Sequence, residues 1–119
     1  MSTGPEQLRD RTKAFAIRIV RLYRSLPKAT EAQVLGKQLL RCGTSVAANY
    51  RAVCRARSKA EFIAKIGVVL EEADEAVFWL ELLADTNVIA AERLSSLLQE
   101  ARELCAIVAA SQRTARAGK

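Results

Sequence analysis

Apolar side chains recur at steps of three and four residues along almost the whole chain, and the pattern breaks at only three places. That periodicity belongs to helices with one buried stripe, whereas strands would need alternation at every second residue. The first stripe reads Leu8, Thr12, Phe15, Ile19, Leu22 and Leu26, and Pro27 ends it. The second reads Leu35, Leu39, Cys42, Val46, Asn49 and Val53, with Thr30 as its N-cap and Asn49 as its one polar member. Ser58-Lys59-Ala60-Glu61 is a capping-box pattern that opens a third helix. Its stripe is Phe62, Ile66, Val69, Ala73, Val77, Leu80 and Ala84, broken by Asp85-Thr86-Asn87. The fourth helix carries Leu94, Leu97, Leu98, Ala101, Leu104, Cys105 and Val108. The expected helices span about 6–25, 31–56, 59–84 and 89–112, with 113–119 as a frayed tail. Five Gly and two Pro are too few to interrupt such segments. A chain of 119 residues makes a single domain, 1–119. Short connections make consecutive long helices antiparallel, so the expected fold is all-α, an up-down-up-down four-helix bundle.

The three cysteines, Cys42, Cys54 and Cys105, are odd in number and widely spaced, with no Cys-x-x-Cys pair. Each is expected as a small buried apolar side chain in a reducing cytoplasm. No uncharged run exceeds nine residues, against the roughly 18 that would suggest a membrane span. The apolar stretch Ala14–Val20 is interrupted by Arg18 and lacks a cleavage site, so a cytoplasmic protein without a membrane partner is expected. Catalysis is not. The chain has no histidine, the commonest general base and metal ligand. Its glycines are isolated and form no phosphate loop. The cluster Glu71, Glu72, Asp74 and Glu75 lacks the Glu-x-x-His pairs of di-metal bundles, and Glu71 and Glu75 lie away from the core stripe. No catalytic residue, cofactor or metal ligand is assigned.

Two surfaces exceed what a lone bundle needs. With residues placed at 100° intervals around the third helix, Val68, Phe78, Trp79 and Leu82 fall on the far side from its core stripe, beside Glu71 and Glu75. Either the core is wide and Trp79 caps its edge, or the strip packs on another copy of the chain. The charges are also segregated. Residues 11–60 carry twelve Lys and Arg against the single acid Glu31, whereas residues 61–105 carry ten acids against Lys65, Arg93 and Arg102. Lys13, Arg21 and Arg24 lie opposite the core of the first helix, and Lys37, Arg51 and Arg55 opposite that of the second; Arg57 and Lys59 extend the patch. Three accounts compete: a solvated face, a face complementary to the acidic helices of another copy, and a phosphate-binding surface. An isoelectric point near 9.7 and the bias toward Arg favour phosphate. The patch has no interleaved aromatics for stacking bases, so it suits the nucleic-acid backbone rather than sequence readout.

The run Arg41-Cys42-Gly43-Thr44-Ser45-Val46-Ala47-Ala48-Asn49, followed by Ser58-Lys59-Ala60-Glu61-Phe62, resembles the four-helix bundle family of proteins encoded by bacterial 23S rRNA intervening sequences. Leu26-Pro27, Gln38-Leu39 and the Glu71–Glu75 run leading into Leu80–Leu83 extend the resemblance from about Phe15 to Leu104. Ala52-Val53 stands where the commoner family pattern has Glu-Gly, and Ala56 where it has Arg, which marks a divergent branch. The resemblance implies a homopentameric ring with a central channel and a basic surface. The same fold serves as the accessory protein of diversity-generating retroelements, which binds nucleic acid and a reverse transcriptase; no member of the family is known as an enzyme. Arg41, Ser45, Asn49, Ser58, Glu61 and Phe62 then form a structural motif, with Ser45 and Asn49 tying the second helix to its neighbours through hydrogen bonds. The expected function is a non-enzymatic homo-oligomer that binds RNA or DNA through the first two helices. The alternative is a scaffold or adaptor whose segregated charges serve self-assembly or an acidic protein partner.

Overall fold

In the computed structural model, which describes residues 4–118, four helices follow one another with no strand between them. They are α1 (Gly4–Arg24), α2 (Thr30–Val53), α3 (Lys59–Asp85) and α4 (Ala91–Ala117). Each packs on its neighbours in chain order and α4 closes on α1, while among the described residues no Cα atoms approach within 8 Å across either diagonal. Among the described residues, no helix is long and apolar enough to cross a membrane.

The ends of the helices show local chemistry at work. Ser58 is the N-cap of α3, and its side-chain oxygen accepts from the Glu61 N–H at 3.0 Å. Only that half of the capping box forms, because the Glu61 carboxylate turns instead to Lys65 at 3.1 Å. Thr30 does not cap α2: the helix begins at Thr30 itself, and Ala29 stands at the cap without a side-chain hydrogen bond. Gln33 holds that corner, donating to the Pro27 carbonyl at 2.8 Å and accepting from the Tyr23 hydroxyl at 3.0 Å. At the end of α3, Asn87 takes the left-handed conformation (φ 60°). The Asn87 N–H returns to the Ala84 carbonyl and the Val88 N–H to that of Leu83, the paired bonds of a Schellman turn. The tail expected to fray from residue 113 is helical as far as Ala117, while Lys119 lies outside the described residues. Ala and Arg propagate a helix without an apolar stripe, and the Lys59 ammonium meets the Gly118 carbonyl at its end.

Two joined clusters fill the interior. The larger contains Phe15, Ile19, Leu39, Leu80, Leu94 and Leu104; the smaller contains Val46, Tyr50, Val53, Ile66, Val69 and Val108. The buried side of α2 differs from the expected stripe, with Tyr50 inside and Asn49 at the edge. The seam leans toward α1, where Gly36 and Gly43 permit a close approach. A Cβ on Gly43 would stand 2.8 Å from Ile19 Cγ1. Cys42 is buried and Cys105 half-buried, but Cys54, at the C-cap of α2, is exposed and not the core residue expected. Burial pushes the thiols of Cys42 and Cys105 up to about 12 and about 11, and the Tyr50 hydroxyl up to about 12.

Two expectations follow. Gly43→Ala gains up to about 1 kcal/mol of helix propensity, but overpacking costs roughly 1–3 kcal/mol; the β-branched Ile19 yields little, so a lowered denaturation midpoint is expected. Because the folded chain keeps Cys42, Cys105 and Tyr50 neutral, the unfolded chain loses these protons first as pH rises. The denaturation midpoint should therefore fall progressively once pH exceeds the ordinary thiol value of 9.0.

Candidate nucleic-acid interface

Three of the four helix seams carry ion pairs. Between α1 and α4, the Arg11 guanidinium donates to both oxygens of Glu100 at 2.8 and 2.7 Å and reaches Glu103 at 2.7 Å. Between α2 and α3, Arg41 meets Glu72 at 3.4 Å and also Glu75. Between α3 and α4, Arg102 meets Glu81 at 2.8 Å. Among the described residues the α1/α2 seam has none. The cause is compositional: the only acids on these two helices are Glu6, Asp10 and Glu31.

Cations without acid partners therefore collect on this flank. Lys13, Arg21 and Arg24 on α1, Lys37 and Arg51 on α2, and Arg55 in the following turn are all exposed. None has an ion-pair partner among the described residues. Gly36 lies beside Tyr23 and Gly43 beside Ile19, so the two helices run antiparallel. That register sets Lys37 level with Arg21 and Arg24, and Arg51 level with Lys13. Between Lys37 and Arg51 the helix rises about 21 Å, at 1.5 Å per residue.

Two shallow clefts mark the flank. One, of about 450 Å³, is lined by Arg9, Asp10, Lys13, Ala47, Ala48 and Arg51. The other, of about 310 Å³, is lined by Lys13, Ala16, Ile17, Val20, Arg21 and Arg24. Lys13 borders both. Arg57 and Lys59 sit at the α2/α3 turn and are partly engaged: Arg57 lies 4.0 Å from Glu61, and Lys59 holds the Gly118 carbonyl. Arg9 was not among the cations expected from the sequence. Its angular position points toward α2, and only the register across the seam brings it to Arg51.

The motif residues divide by environment. Arg41 is an ion-pair fork, and Glu75 also accepts from the Trp79 indole N–H at 3.0 Å. Phe62 is half-buried against the Val46/Tyr50 cluster. The hydrogen bonds expected from Ser45 and Asn49 to neighbouring helices are absent among the described residues. Val46 and Tyr50 take the inward positions, leaving Ser45 and Asn49 half-buried on the edge toward α3. On the outer side of α3, Val68 and Phe78 are 46% and 51% exposed. Leu82 is half-buried, and Trp79 packs on the edge of the larger cluster with its ring edge-on to Phe78, 4.9 Å between centroids.

Fold and surface together define an antiparallel four-helix bundle with one cationic flank whose charges have no acid partners among the described residues. The chain belongs to the 23S rRNA-intervening sequence protein family, whose model it matches over residues 7–110. It is similar to a crystal structure of a protein of unknown function from the S23 ribosomal protein family of Bacteroides thetaiotaomicron. The two are 38% identical over 88% of this chain and 97% of the other, with a TM-score of 0.82. No curated protein matches the chain.

Proposed function

We propose that this protein is a non-enzymatic homo-oligomer that binds nucleic acid through the flank formed by α1 and α2. One observation carries the reading: Lys13, Arg21, Arg24, Lys37, Arg51 and Arg55 are exposed and have no ion-pair partner among the described residues, whereas Arg11, Arg41 and Arg102 are neutralised by acids at the other seams. A surface with six open cations binds phosphates by charge and releases counterions. The copies meet through the outer strip of α3, where Val68 and Phe78 stand in solvent. This leaves the basic flank free on every subunit of a ring, five by the family resemblance.

The competing reading makes the same charges an assembly device, with the basic flank of one copy against the acidic α3 and α4 of the next. Glu71, exposed beside Val68 and Phe78 on α3 and in no ion pair among the described residues, favours it. In that case the protein is a scaffold that docks acidic partners.

Binding of a duplex should weaken with salt by about 0.9 log unit per log unit of salt for each phosphate neutralised. Arg51→Glu with Arg55→Glu should lower affinity at least tenfold at moderate salt and reduce that slope by roughly 2. Unchanged affinity in an electrophoretic shift assay would overturn the nucleic-acid reading. Val68→Ser with Phe78→Ser should move the light-scattering mass toward the monomer while the helical circular dichroism stays constant. A wild-type chain that is monomeric would rule out the ring.

A further inference from the structure

The cleft between α1 and α2 holds a group that a plain phosphate surface does not need. Arg9, Lys13 and Arg51 line it together with the carboxylate of Asp10, beside the small side chains of Ala47 and Ala48. All four charged residues are exposed, and none belongs to an ion pair among the described residues. Asp10 is thus an open acceptor among three open cations. It opposes a bare phosphate by charge, and a carboxylate accepts hydrogen bonds but donates none. A ligand that satisfies every group in the cleft presents an anion to the cations and, close by, a hydrogen-bond donor to Asp10.

The DNA backbone supplies the anion but only acceptors besides. The RNA backbone adds a hydroxyl donor on the sugar that carries the phosphate, the group through which proteins tell RNA from DNA. Ala47 and Ala48 leave room for a sugar to lie against α2. We infer that this cleft is a ribose-phosphate subsite, in which Arg9, Lys13 and Arg51 hold a phosphodiester and Asp10 accepts from the neighbouring 2′-hydroxyl, so that the protein selects RNA over DNA. The inference rests on the nucleic-acid reading above and adds the choice of polymer.

The test is fluorescence anisotropy on the full chain with three probes: an RNA hairpin, a DNA hairpin of the same sequence, and the RNA hairpin with 2′-O-methyl riboses. The wild type should bind the RNA about tenfold tighter than the other two, the order expected for one hydrogen bond to a charged acceptor. Asp10→Ala, an exposed change away from the core, should remove that preference. Its RNA affinity should fall toward the DNA value, while its DNA affinity holds or rises as the opposing charge is lost. Equal wild-type affinity for RNA and DNA would overturn the inference and leave the nucleic-acid reading standing. So would an Asp10→Ala variant that strengthens binding to both polymers alike. A wild type that binds none of the probes at low salt would instead overturn the nucleic-acid reading, and this inference with it.

Discussion

Helices α1 and α2 meet where Gly43 lies against Ile19, and the rest of the cationic flank depends on that contact. A single added carbon there would stand 2.8 Å from Ile19 Cγ1, so the Ile19 side chain packs where only a residue without a Cβ leaves room. It holds the antiparallel register, and the register sets Arg51 opposite Arg9 and Lys13 across the cleft. It also lets the pair associate without salt bridges. Burial of Phe15, Ile19, Leu39 and Val46 holds this seam together, each large side chain contributing about 1.5–3 kcal/mol. A seam held by apolar packing leaves its surface charges free for other work.

Elsewhere the charges are used differently. Ion pairs between exposed side chains contribute about 0–1 kcal/mol each, so the forks of Arg11 and Arg41 add little to stability. Their larger effect is on the field of the molecule. They neutralise acids on α3 and α4, while the other cations of α1 and α2 stay open along that flank. Like charges on one flank repel.

On α3, apolar residues occur on both sides of the helix, and the structure separates their roles. Trp79 is tied to Glu75 through its indole N–H and packs on the edge of the chain's own core. Val68 and Phe78 are left outward, about half of each exposed. A helix that is apolar all round is normally buried, which is why assembly through this strip forms part of the proposed function.

Most of the architecture was legible in the residues, and the reasons are local. Helix periodicity, the Ser58 cap, the break at Pro27 and the scarcity of acids on α1 and α2 each depend on neighbours within one or two turns. Other features were not legible. The Tyr50-in, Asn49-out arrangement reflects a rotation of α2 toward the α1 seam, smaller than the 100° step between residues can resolve. The half-formed capping box reflects competition from Lys65 for Glu61, and Arg9 joined the site only through a residue more than forty positions away. By itself, the sequence determined four helices, their order and the sign of each flank, because these follow from composition and short-range periodicity. Only the tertiary structure decided which arginines are neutralised, which face of α2 turns inward, and that Asp10 shares a cleft with Arg51. Those outcomes depend on how two helix surfaces mesh, and meshing is set by packing between residues far apart in the chain.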